Sequence, residues 1–154
     1  MAAIDVVQDC LARKRLAFAG VSRAQDDFTR VLFREFVQRG YDPVPVNPAT
    51  DQIEGRRCFP NVQAIDPPVE WVLVAAPPKQ AETIVLDCAA AKIKRVWLYR
   101  AVGNGAVSPA AVSYCRASGI KVVDGNCPYM FWPDSAWYHR VHGVLLKVLG
   151  RWPR

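Results

Sequence analysis

The chain lacks any run of about 18 apolar residues, so no membrane-spanning helix is expected. It also lacks a C-x-x-C pair. Its five cysteines (Cys10, Cys58, Cys88, Cys115 and Cys127) are odd in number and widely spread, which excludes a disulfide framework and a zinc site and suits a reducing cytoplasm. No block of like charge stands out in a net charge of +6. Lys92, Lys94 and Arg95, and the terminal Arg151 and Arg154, come near to clustering. No nucleic-acid partner is therefore expected, and the mild basic excess suits a solvated surface or a polyanionic small ligand. No P-loop lysine, carboxylate pair or Ser-His-Asp order is present, so no catalytic residue is assigned. Asp5 and Asp9 interrupt the first apolar stretch, so the N-terminus is not read as a signal peptide.

What is present is an alternation of short apolar runs with helical periodicities. Ile4, Val7 and Leu11 place an amphipathic helix within residues 1–14. Leu16 to Ala19 reads as a strand covered on both faces, and it stops at Gly20. Phe28, Val31, Leu32 and Phe36 recur at helical spacing, with Asp26 or Asp27 as cap and Gly40 as terminator. Pro43 to Val46 is a short strand of restricted pairing, ended by Asn47-Pro48. Residues 49–68 are a loop with one helical turn near Val62. Glu70 to Ala76 is a third strand, followed by a helix carrying Ala81, Ile84, Val85 and Cys88 on one face. Arg95 to Tyr99 is the fourth strand, Ser108-Pro109 starts the next helix, and Ile120 to Asp124 is the fifth strand. A last helix is expected from Asp134 or Ser135, burying Trp137, Val141, Val144, Leu145 and Val148.

Strands alternating with helices imply right-handed crossovers. The fold class expected is α/β, a Rossmann-like doubly wound five-stranded parallel sheet with helices on both faces. A ligand then belongs at the carboxyl ends of the strands, near the switch point. At the first of these ends, Gly20 permits close approach to the backbone, and the following helix N-terminus offers unpaired N–H groups for a phosphate. A nicotinamide dinucleotide is disfavoured there, because Gly20 stands without the rest of a G-x-G-x-x-G. The residue closing the second strand is also Asn47 instead of an acid.

At these same positions the chain resembles the CoA-binding domain family, which includes small stand-alone proteins and the nucleotide-binding domain of succinyl-CoA synthetase α subunits. The resemblance is carried by Phe18-Ala19-Gly20-Val21-Ser22, by Gly40-Tyr41 with Pro45-Val46-Asn47-Pro48, and by Ile53-Glu54-Gly55 with Cys58-Phe59-Pro60. It continues through Val72 to Pro77 and Gly125-Asn126-Cys127-Pro128, and covers residues 15–130, leaving 131–154 as an aromatic-rich helix packed on the same domain. The resemblance implies that Gly20, Val21, Ser22 and Arg23 wrap the phosphates of coenzyme A or an acyl-CoA. Val46, Asn47 and Pro48 would flank the adenosine, and Ala75, Ala76 and Pro77 would form the opposite wall. Arg30 and Lys79 are further candidate charges. Residues 49–52 (Ala-Thr-Asp-Gln) depart from synthetase relatives, which often place a lysine there.

Each reading has a plainer counterpart. Gly20 could serve packing alone, Arg23 could sit in a surface ion pair, and Ala75-Ala76-Pro77 could be merely a strand end. Cys127 has no histidine on the strand-end loops to activate it and is read as inert. His139 and His142 lack a carboxylate or cysteine in register, so no metal is assigned. The aromatic C-terminal segment is read as packing, with a homodimer or protein partner as its alternative. The function expected is a non-catalytic CoA or acyl-CoA binding module acting as sensor, carrier or partner subunit. The alternatives are an NAD(P)-dependent oxidoreductase domain and a partner-dependent acyl-CoA ligase subunit.

Overall fold

The computed structural model describes residues 3–101 and 103–134. The last helix expected from the sequence, with Trp137, His139 and His142, lies outside the described residues. In chain order the elements are α1 (Ala3–Leu11), β1 (Arg15–Ala19), α2 (Phe28–Gln38), β2 (Asp42–Val46), β3 (Gln52–Ile53), β4 (Arg56–Arg57), β5 (Trp71–Val74), α3 (Pro78–Ala90), β6 (Arg95–Leu98), α4 (Pro109–Ala117) and β7 (Lys121–Asp124). Short 3-10 turns occupy Val62–Ala64 and Pro128–Phe131. Five strands form one parallel sheet in the order β2-β1-β5-β6-β7, and β3 pairs with β4 as a separate hairpin. The sheet is the doubly wound Rossmann-like α/β architecture. The order of winding reverses at β1, the chain adding β2 on one side and then β5 on the other, so the switch point falls between β1 and β5.

The strand residues divide between two cores. Leu16 and Phe18 face α1 and α2 with Trp71, Leu73 and Trp97, whereas Ala17 and Ala19 face α3 and α4 with Val72, Val74, Val96 and Leu98. Both faces are apolar because both are covered, which is why these strands read as continuous hydrophobic runs. The indole N–H groups of the fully buried Trp71 and Trp97 are satisfied by the carbonyls of Arg13 and Gly125, both at 3.0 Å.

β2 tolerates two prolines for a local reason. Asn47 N–H donates outward to the Phe59 carbonyl, while Asp42 N–H donates to Lys14 and the Val46 carbonyl accepts from Gly20 on the inner side. Side alternates along a strand, so Pro43 and Pro45 occupy outward positions where β1 needs no donor. The strand therefore pairs with β1 along its whole length.

α2 begins at Phe28 with Asp27 as its N-cap, the Asp27 carboxylate accepting from Thr29 N–H at 2.8 Å. Its inner face differs from the one the spacing suggested. Arg30, Leu32, Phe33 and Phe36 are buried, whereas Phe28 and Val31 remain 42% and 44% exposed. Phe28 lies in the first turn, where it packs beside Tyr99 and Tyr129 at 5.7 and 6.4 Å between ring centroids.

At the opposite end of the sheet Asp9 ties three elements together. It accepts from Arg95 of β6 at 2.6 Å and Lys121 of β7 at 3.1 Å, and pairs with Arg13 one helical turn on. Burial pushes its carboxyl up, but the hydrogen bonds from Arg95 and Lys121 outweigh this and hold it below the usual carboxylate range. A depressed folded value means that the stabilisation is complete above the unfolded value of about 3.9 and is lost as pH falls through the folded one. Asp9→Asn is expected to cost about 1–2 kcal/mol at neutral pH. Urea titrations should show that difference from wild type closing below about pH 4; a gap independent of pH would mean that the charge is not the source.

Candidate functional site

The carboxyl ends of β1, β2 and β5 enclose a cleft of about 800 Å³, within the range of small-molecule sites. All ten residues singled out in the sequence line it: Gly20, Val21, Ser22 and Arg23 after β1, Val46, Asn47 and Pro48 at β2, and Ala75, Ala76 and Pro77 after β5. Gly20 has φ +93°, and a Cβ there would lie 2.8 Å from the Ala75 and Ala76 backbone. Its absent side chain therefore lets β1 and β5 close against each other at the floor of the cleft, a packing role that itself shapes the site.

Asn47 joins the first two strand ends. Its amide donates to the Val21 carbonyl at 2.9 Å, and its side-chain oxygen accepts from Ala49 N–H at 2.8 Å. Both functions of the amide are engaged in holding the loops on either side. The buried Cys58 thiol donates to the Asn47 carbonyl at 3.5 Å.

The helix end expected to receive a phosphate is arranged differently. Seven residues lie between Gly20 and the start of α2, and the Asp27 carboxylate already caps that helix. Ser22 N–H donates to Thr29 Oγ1 at 2.9 Å, and Thr29 Oγ1 donates in turn to Asp27 at 2.5 Å. A carboxylate at an N-terminus satisfies its donors and repels a second anion. Any phosphate on this side must meet the loop from Val21 to Ala24. α3, by contrast, starts at Pro78 after Pro77 with no side-chain cap, and Pro77 and Gln80 both line the cleft.

The sequence reading missed the wall that α3 provides. Gln80, Thr83, Ile84 and Asp87 recur along one stripe of this helix and extend the cleft away from the strand ends. Asn61 and Val62 face them, and Gln63 donates to Asp87 at 3.1 Å beside that end. The signal available was helical spacing counted on from Pro77, a residue already placed in the site.

The candidate charges separate. Arg23 is exposed and lines the cleft, and its guanidinium makes no ion pair or hydrogen bond among the described residues. Lys79 pairs with Glu82 at 3.3 Å and does not line the cleft. Arg30 is 7% exposed and is bound to Glu54, so it too lies outside the lining. Hydrogen bonds from Arg34 and Arg30 hold the Glu54 carboxyl below its ordinary value. Burial pushes the Cys127 thiol up to about 11, which leaves it protonated and unreactive at neutral pH. No group of three metal-ligating side chains occurs among the described residues.

A family model described as a CoA binding domain matches residues 14–133. YneT of Bacillus subtilis (strain 168) is 24% identical over 122 residues, covering 79% of this chain and 87% of YneT. A hypothetical protein from Pyrococcus horikoshii OT3 has the same fold, with TM-score 0.74 and 23% identity over 83% of this chain and 87% of that one. A Ca. Korarchaeum cryptofilum acetyl-coenzyme A synthetase shares it at TM-score 0.62 and 18% identity, over 74% of this chain and 26% of the synthetase.

Proposed function

The chain belongs to the CoA binding domain family, and on that premise we propose that it binds coenzyme A or an acyl-CoA in the cleft between β1, β2 and β5, without a catalytic step of its own. The observation that carries this reading is the meeting of ten residues from three strand ends in one cleft. Val21, Ser22 and Arg23 take the phosphates, with the uncapped start of α3 contributing its positive end on the opposite side. Val46, Asn47 and Pro48 flank the adenosine, and Ala75, Ala76 and Pro77 form the other wall, where small side chains let a flat ring lie close. The five cysteines are buried free thiols, in keeping with a reducing cytoplasm. The protein then serves as sensor, carrier or partner subunit.

One observation favours the partner-subunit version. The acetyl-coenzyme A synthetase that shares this fold does so over 26% of its own length. This chain would then supply the CoA-binding portion of a ligase whose remaining domains lie on another polypeptide. Co-purification of such a chain would support that version.

Isothermal titration with CoA, NADH and ATP tests the proposal. Selective CoA binding is expected, and NADH binding without CoA binding overturns it. Arg23→Ala should weaken CoA by about 1–3 kcal/mol, the range for losing a charged hydrogen bond. Unchanged affinity in that variant removes Arg23 from the phosphate site.

A further inference from the structure

We propose that Glu54, acting through Arg30, is a positioning residue for the loop that receives the CoA phosphates; this rests on the CoA reading above. Neither residue lines the cleft. Arg30 bridges the two regions, donating through Nε and Nη2 to Glu54 Oε1 at 2.9 and 2.5 Å. Its Nη1 donates to the carbonyls of Ser22 and Arg23 at 3.3 and 3.1 Å. In a trans peptide the N–H points opposite to the C=O. Drawing two successive carbonyls onto one guanidinium therefore turns the N–H groups of Arg23 and Ala24 to the other side. The Ala24 N–H is held within the loop by Ser22 Oγ at 3.1 Å, so the Arg23 N–H is the one donor this arrangement presents to an anion.

Glu54 is held in an unusual place for this purpose. It sits at the turn joining β3 to β4 with φ +51°, followed by Gly55 at φ +70°. Two consecutive positive φ values define the hairpin turn that favours Asn-Gly or Gly-Gly, and a glutamate adopts the first position at a cost. Backbone strain of this kind persists where the surroundings over-determine it, often at ligand clamps. Here Arg30 and Arg34 both bind Glu54 Oε1, Arg34 through its Nε at 3.0 Å. The Arg30 side chain is 8% exposed and that of Glu54 24%, and Nε and Nη2 of Arg30 converge on the single oxygen Oε1. The β3–β4 hairpin thus sets the shape of a loop it does not belong to.

The test compares Glu54→Gln and Arg30→Lys with the wild-type chain by CoA titration and by amide NMR spectra. Glu54→Gln is expected to weaken CoA binding about tenfold, the scale of one misplaced charge-assisted contact. The amide signals of Arg23 and Ala24 should move while those of Ala75 and Ala76 stay. Arg30→Lys keeps the charge and loses the fork, so it should behave in the same way. An ion pair with a purely structural role would lower the unfolding midpoint and leave CoA affinity within about twofold of wild type. That outcome, with unmoved signals at residues 23 and 24, overturns the positioning role alone. A wild-type chain that binds no CoA overturns the proposed function and this role together.

Discussion

Gly20→Ala is expected to lose CoA binding and to unfold at markedly lower urea than wild type. Two costs act at this position. The residue has φ +93°, a conformation that disfavours any side chain, which is worth about 1–2 kcal/mol. The new Cβ would also meet the Ala75 carbonyl carbon and oxygen and the Ala76 nitrogen, each at 2.8 Å. These are backbone atoms of the neighbouring strand's exit and cannot rotate away as a side chain could. Forcing β1 from β5 adds about 1–3 kcal/mol, so the total loss is about 2–5 kcal/mol. Because the separation opens at the floor of the cleft, binding and stability should fall together. Urea unfolding and CoA titration check this, and an unchanged midpoint would mean that the strand ends relax freely.

Asn47→Asp should have the second largest effect, and it also separates the two nucleotide readings. The asparagine amide is a donor to the Val21 carbonyl at 2.9 Å, where a carboxylate has no proton to give. A carboxylate there faces a carbonyl oxygen, at a cost to stability of about 1–3 kcal/mol. Its charge also faces the region assigned to the CoA phosphates, so affinity should fall by at least about tenfold. A dinucleotide site behaves in the opposite sense, since an acid closing the second strand holds the ribose hydroxyls. Titration of the variant with CoA and NADH decides the matter. Gain of NADH binding would make the cleft a dinucleotide site that lacks its acid.

Much of this was legible in the chain because burial on both faces leaves a plain mark. Leu16 to Ala19, Val72 to Val74 and Val96 to Leu98 are apolar at every position, and each is a central strand. Once the strands are ordered, the topology dictates where their carboxyl ends meet, which is how three separate short segments could be assigned to one cleft. Features set by distant partners were hidden. Arg30 appeared as a spare charge because Glu54 lies 24 residues away, across a crossover whose path the sequence does not specify. The start of α2 was uncertain between two adjacent aspartates, and only the hydrogen bond to Thr29 selects Asp27. Phe33 was legible and passed over: it stands three residues from both Arg30 and Phe36, on the face that α2 buries, and its ring lies 5.6 Å from that of Phe18.

The outward prolines of β2 bear on what the protein can assemble into. An open sheet edge ordinarily presents a row of donors and acceptors that another chain's strand can adopt. Along β2 the two outward donors that would start such a ladder, at positions 43 and 45, do not exist. On the same outward side the Pro45 carbonyl and Asn47 N–H are already taken by Phe59 at 3.0 Å each. A strand from a second copy would therefore find few backbone partners along this margin. Beside the cleft, the prolines and the Phe59 backbone together leave β2 a poor template for strand addition.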